Sequence, residues 1–355
     1  MKVLIGPANY AGQATSYARA LNLHSDHVAS SAVLKIPGRP IQFPADIPLP
    51  GARWALDPVW RASWRRRVTT NFDAVLMDGG LPITRGALGW SPTRRPKASR
   101  KGLGQEIEDL RALGLRVGLL LHGSEIRDPD DHRAREVYSP FHTMDSNRVA
   151  ELRRNVRLTK RVIDEHPGPV FVTTPDLLFD CPTAIWAPLC GDIDTWTSTN
   201  EPSFEIPRIL HAPTDAAMAG SGEIEASLAG LRSRGQIQYL RVVNSSPAAM
   251  PTLVKNADIV VDKCSLGSYG AIAMEAMFAG RLVLGHVRDE IRNYVGQVEG
   301  AALPIVEITP LTIDSVISDI IDRPDHYREI ARRGFDFAAS IHNGESTALR
   351  LSEML

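Results

Sequence analysis

This chain of 355 residues holds only three cysteines and no long uninterrupted apolar run. Cys181, Cys190 and Cys264 form neither a Cys-x-x-Cys pair nor an even set, so a disulfide scaffold is excluded and core thiols in a reducing cytoplasm are expected. The N-terminus Met-Lys-Val-Leu-Ile-Gly-Pro turns polar too early for a signal peptide or a spanning helix, and no later run reaches membrane length. A net charge of −1 gives no global argument for nucleic acid. Also missing are the dinucleotide fingerprint Gly-x-Gly-x-x-Gly and the nucleophile elbow Gly-x-Ser-x-Gly, which leaves serine hydrolase chemistry unsupported.

With 43% hydrophobic and 23% charged residues the chain is a folded globular protein. Its length exceeds one ordinary core, so two domains are expected. Short apolar runs alternate with helical stretches, the pattern of parallel sheets joined by helices. The predicted strands are Lys2 to Ile5, Ala74 to Met77, Arg116 to Leu121, Val170 to Thr173 and Ile185 to Ala187, then Arg208 to His211, Gln238 to Val243, Ile259 to Asp262, Leu282 to Gly285 and Ile305 to Ile308. Two such series imply two Rossmann-like, doubly wound α/β domains, 1–195 and 205–335, with the boundary in the polar stretch Cys190 to Pro207. The final segment reads as two amphipathic helices around His342-Asn-Gly-Glu, and Leu349, Leu351 and Leu355 need a surface to cover. A C-terminal helix, 336–355, packing back on the first domain supplies one.

Pro82 to Gly104 and Arg127 to Asn147 read as loops on the edge where open α/β sheets bind ligands. The second gathers His132, His142, Asp128, Asp130 and Asp131 near His122, but at no spacing that defines a metal set, so no metal is expected. The stretch Trp60-Arg-Ala-Ser-Trp64-Arg-Arg-Arg67 suits an anionic membrane surface, and equally a helix docked on the sheet by its tryptophans. The docked helix is the favoured reading, because the following strand needs cover. Weak contact with the inner face of a membrane stays open.

The most informative segment runs from Asp262 to Gly280. A buried-looking strand enters a helix through Gly270, and Glu275 lies one turn in. Unpaired amides at a helix start attract anions, a Gly-rich entry lets a phosphate approach, and a carboxylate one turn in can accept ribose hydroxyls. Gly12 and Gln13 stand at the corresponding entry after the first strand, where a turn glycine needed only for its backbone is an equal alternative. His122 directly follows an apolar strand, placed to hold a sugar hydroxyl or share a proton. The loop after His211 has the right place for a phosphate, yet no Lys or Arg occurs between Arg208 and Arg232.

These residues resemble the retaining GT-B glycosyltransferases, the group 1 or family 4-like enzymes that use nucleotide sugars. The resemblance rests on the Gly12 loop, Phe72-Asp-Ala-Val-Leu-Met, His122-Gly-Ser-Glu-Ile-Arg, His211-Ala-Pro-Thr, and above all Tyr269-Gly270 to Gly280 with its Glu-Ala-Met-x-x-Gly. It implies two domains facing a cleft, with the donor on the second and the acceptor on the first. It implies that Glu275 holds the nucleotide ribose, and that Ser268, Tyr269 and the amides around Gly270 face the donor diphosphate. Gly12 and Gln13 would face it from across the cleft, and His122 would hold the transferred sugar. Neither metal nor cofactor is implied, only a nucleotide-diphosphate sugar and a glycan, lipid-linked or small-molecule acceptor.

Two departures stand out. The first glutamate of the family's pair is Gly267 here, and its donor-loop Arg and Lys are Ala216 and Ala219. Lys263, Arg288 and Arg127 are the nearest replacement cations by position. A GT-B-shaped binding or assembly subunit with lost or weak turnover, working with a protein partner, is therefore the second reading. A nucleotide-sugar epimerase is a third.

Overall fold

Short runs of Val, Ile and Leu form strands that are buried on both faces, and burial on both faces requires helices above and below. The computed structural model describes residues 1–35, 41–86, 88–90, 96–98 and 100–354. The first sheet contains β1 (Lys2–Pro7), β2 (Val28–Lys35), β3 (Ile47–Pro50) and β4 (Ala74–Asp78). After the antiparallel hairpin β5 (Leu88–Trp90) and β6 (Pro96–Ala98), it continues with β7 (Arg116–Leu121), β8 (Val170–Val172) and β9 (Ile185–Trp186). Its order is β3-β2-β1-β4-β7-β8-β9, parallel throughout. The second sheet holds β10 (Arg208–His211), β11 (Gln238–Arg241), β12 (Ile259–Val261), β13 (Leu282–Gly285) and β14 (Val306–Glu307), in the order β11-β10-β12-β13-β14, again parallel.

All ten predicted strands are present, some a residue or two shorter or longer. β2 and β3 are additions that the pattern did not announce. β2 places polar Ser31 in its interior, satisfied by Asp46 at 2.7 Å from its amide, and β3 carries two prolines that only an edge strand accepts. Of the loop 82–104, residues 87, 91–95 and 99 lie outside the described residues. The loop 127–147 contains a helix, Pro129–Arg135, which Asp128 caps through the amide of Asp130.

Alternation along the strands divides the cores. Val3 and Ile5 point to the face covered by Ala14, Tyr17 and Leu21 of helix Gln13–His24, while Leu4 points to the opposite face with Trp54, Trp64 and Leu110. In the second sheet Ile209, Ile259 and Leu284 pack on Ile224, Leu228 and Ile317, while Leu210, Val260 and Val283 face Met277, Phe278 and Phe337. Trp64 is buried and donates from Nε1 to Ile83 O at 3.1 Å, stacking on Trp60 at 6.1 Å between ring centres.

The chain ends in helices Pro324–Ile341 and Glu345–Met354. Ala348 and Leu351 of the last helix join the core of Val3, Ile5 and Tyr17. Thr347 Oγ1 donates to Pro188 O, and Arg350 Nη1 to Trp186 O, each at 2.7 Å. Leu349, expected to cover that surface, instead faces solvent at 60% exposure, and Leu355 lies outside the described residues. The contact falls on Ala348 because the small residue lets the helices approach closely. Gly344 does the same, since a methyl there would lie 2.9 Å from Ala20 Cβ.

Candidate functional site in the interdomain crevice

The C-terminal edges of both sheets meet, and side chains cross between them. Arg148 pairs with Asp215 beyond β10, and Arg288 beyond β13 donates to the Arg135 carbonyl. His132 Nε2 lies 3.3 Å from Leu266 O beyond β12, and Glu136 Oε2 3.1 Å from His286 Nε2 beyond β13. The segment between β7 and β8 thus lies against three loop ends of the second sheet. His286 also meets Glu307 Oε1 at 2.5 Å. Burial alone would lower its pKa, but the bonds to Glu136 and Glu307 outweigh that and raise it to about 9.

On the second sheet, β12 leads through Asp262 to helix Ala271–Phe278. Glu275 is half-buried there, and among the described residues its carboxylate has no hydrogen-bond partner. Protein packed around the carboxylate, with the Asp262 charge adding to it, pushes its pKa up to about 8. The Gly270 amide is engaged: it donates to Asp262 Oδ2 at 2.8 Å, and Lys263 Nζ donates to the same oxygen at 2.9 Å. A methyl on Gly270 would sit 2.7 Å from Lys263 Nζ, which puts that ammonium directly over the helix entry. An internal carboxylate and its counter-ion therefore occupy the place where an outside anion would be welcomed.

Tyr269 and Ser268 face inward. Tyr269 is 2% exposed and packs edge-on against His342, its hydroxyl 3.5 Å from Nε2. Ser268 is buried beside Asp176, whose charge it helps to hold, while its Oγ reaches no partner at hydrogen-bonding geometry among the described residues. Gly267 adopts φ +65°, and a methyl there would meet Arg288 Cγ and Glu136 Oε2, each at 2.7 Å. The space beside Gly267 is thus taken by Arg288 of the same domain and by Glu136 from across the crevice.

On the first sheet, Gly12 caps helix Gln13–His24 with φ +76°, and a methyl would touch the Phe43 ring at 3.0 Å. Asn9 Oδ1 already accepts from the Thr15 amide at 3.4 Å. Gln13 is 1% exposed, and both ends of its amide are committed to Cys190: Nε2 donates to the carbonyl at 3.1 Å and Oε1 accepts from the amide at 2.8 Å. It pins the interdomain segment, leaving the crevice to its neighbours.

His122 sits at the crevice with its side chain 11% exposed, its Nε2 in a short contact with Asp78 Oδ1. Burial would lower its pKa, but the Asp78 charge and hydrogen bond, aided by Glu125, raise it. Glu125 accepts from the amides of His122 and Gly123 and from Arg100, and the ring of Tyr10 stands edge-on to His122 at 5.1 Å. The replacement cations are differently placed. Arg127 is buried against Asp176 at 2.5 Å, an attraction that outweighs burial and holds Asp176 down to about 2. Arg288 is spent on Glu290 and the Arg135 carbonyl, which leaves Lys263 closest to the helix entry. Asp78, Glu125, Glu136 and His286 were not foreseen. Asp78 had a local signal, a charge closing an apolar strand; Glu136 and His286 are 150 positions apart and had none. Among the described residues no group of three or more His, Cys, Asp or Glu could hold a metal ion.

No protein-family model matches this chain, and no curated protein sequence matches it. Solved structures do. A sucrose-phosphate synthase from Thermosynechococcus elongatus superposes with TM-score 0.60 at 12% identity, covering 99% of this chain and 97% of that one. The architecture is GT-B. Anabaena HepE in complex with UDP-glucose matches with TM-score 0.59 at 12% identity, over 99% and 98% of the two chains. An alpha-glucosyltransferase in complex with UDP and a 13-mer DNA matches with TM-score 0.60 at 10% identity, over 100% and 99%. At such identities the shared property is the fold, two sheets whose edges border a crevice. No helix among the described residues is long and apolar enough to cross a membrane.

Proposed function

We propose that this chain is a glycosyltransferase that moves a hexose from a nucleoside diphosphate sugar to a glycan, lipid-linked or small-molecule acceptor. Glu275 carries the reading. A carboxylate kept among protein atoms without a partner is costly, and such groups concentrate where a ligand completes them. Ribose hydroxyls are suitable partners, since both donate to one carboxylate. The GT-B architecture supports the reading, as do structural neighbours in complex with UDP and UDP-glucose.

The reaction proceeds with retention in this proposal, the leaving diphosphate oxygen taking the acceptor proton, without metal and in the cytoplasm. Positive charge must then come from the protein. Removing one preorganised donor to a developing anion typically costs about 100-fold or more in rate. With Ala216 and Ala219 in the donor loop, Lys263 is the cation proposed for the diphosphate, released from Asp262 as the donor enters. The acceptor lies against the first domain, from which His122 faces the donor.

A second reading rests on one observation: the helix entry is capped by Asp262 and covered by Lys263, as in a protein that no longer turns over and serves as a binding or assembly subunit. Incubation of the isolated chain with isotope-labelled nucleotide sugars separates the two. Transfer or slow hydrolysis, lost in Glu275→Ala, supports the enzyme and removes the subunit; no reaction with any donor rejects the enzyme.

A further inference from the structure

Most cations bordering the crevice are already neutralised by a carboxylate. Arg127 faces Asp176, Arg100 faces Glu125, Arg241 faces Glu225, Arg288 faces Glu290 and Lys263 faces Asp262. His122 differs in geometry. Asp78, fully buried at the end of β4, holds Nε2, and its other oxygen, Oδ2, has no partner among the described residues. A buried carboxylate with one oxygen unpaired is tolerable when a counter-charge stands against it, and neutral imidazole offers none. Among the described residues Nδ1 of His122 has no hydrogen-bond partner, and the side chain as a whole is 11% exposed.

We propose that His122 works as an imidazolium, its Nδ1–H donating to the anionic diphosphate of the donor, and that Asp78 is the positioning residue that fixes both its ring and its charge. This rests on the donor reading above and deepens it. The groups facing the ring are Asp78 from β4, Glu125 and its partner Arg100 from the following loops, and Tyr10 from the turn after β1. Two carboxylates and one guanidinium leave room for one more positive charge, which agrees with the raised affinity of this histidine for its proton. His122 then supplies part of what Ala216 and Ala219 lack. It does so as a hydrogen-bond donor and not as a base, consistent with retention, where no protein base takes the acceptor proton.

The test is UDP, GDP and ADP affinity by calorimetry across the pH range in which the His122 ring titrates, read from its NMR resonances, which are assigned by their loss in His122→Gln. Glu275 and His286, raised to about 8 and about 9, titrate as well, so the decisive quantity is the difference between the wild type and His122→Gln. The expected result is an affinity that falls by about tenfold or more as His122 deprotonates, a fall missing in His122→Gln. Asp78→Asn should move both the fall and the ring titration down by about one pH unit or more. Nucleotide bound with the same pH dependence in wild type and His122→Gln overturns this proposal and leaves the donor reading intact. Absence of any nucleotide binding overturns both. Should Asp78→Asn fail to fold, the His122→Gln comparison decides alone.

Discussion

Replacing Glu275 by Gln should make the protein more stable and a worse binder at the same time. The carboxyl pKa is raised from 4.5 to about 8 in the folded chain. A raised carboxylate binds its proton more tightly folded than unfolded, so the folded state pays nothing below about pH 4.5, and the cost grows to completion by about pH 8. At 1.36 kcal/mol per unit, the full shift corresponds to about 5 kcal/mol. The side chain keeps some solvent contact, so about 1–3 kcal/mol is the expected gain for Glu275→Gln at pH 8. Glutamine keeps the shape and removes the charge, so packing changes little. The assay is urea denaturation of both proteins at pH 5 and pH 8, with nucleotide affinity measured alongside. The variant should be markedly more stable at pH 8, near parity at pH 5, and weaker in binding. Equal stability at both pH values, or a variant less stable at pH 8, refutes the claim that this carboxylate is held against its own hydration.

The crevice contact of His286 has the opposite sign. Its pKa rises from 6.5 to about 9, so its stabilisation is complete below about pH 6.5 and lost as pH climbs through 9, on the order of 3 kcal/mol at most. Denaturation and small-angle scattering should show looser domains at high pH in the wild type and little further change in His286→Gln. Gln13→Ala should cost about 2–4 kcal/mol, because it strands a buried amide and a buried carbonyl of Cys190, and thermal unfolding checks it. Gly267→Ala should cost about 1–2 kcal/mol from its left-handed backbone alone, with additional loss from pushing Arg288 and Glu136 apart; restoring a glutamate there should open the interdomain contact without raising transfer.

Much of the fold was legible because apolar strands of four to six residues announce themselves. β2 was hidden by its serines and β3 by its prolines, features that make sense only once Asp46 and an edge position are seen. The strand-to-helix turn that carries Gly270 and Glu275 was legible too. What occupies their neighbours was not. The family resemblance implies that Gln13 and Tyr269 face the donor, but their partners, Cys190 and His342, stand 177 and 73 positions away. The Asp262 cap on Gly270 lies within the motif itself, eight residues apart, but a sequence does not show whether the amides of a helix start are already taken.

The most direct measurement is calorimetric titration of the wild type and Glu275→Ala with a panel of nucleoside diphosphate sugars. If Glu275 holds the donor, at least one nucleotide sugar binds saturably, about tenfold or more weaker in the variant. Equal binding by both proteins, or no binding by the wild type, would contradict that role.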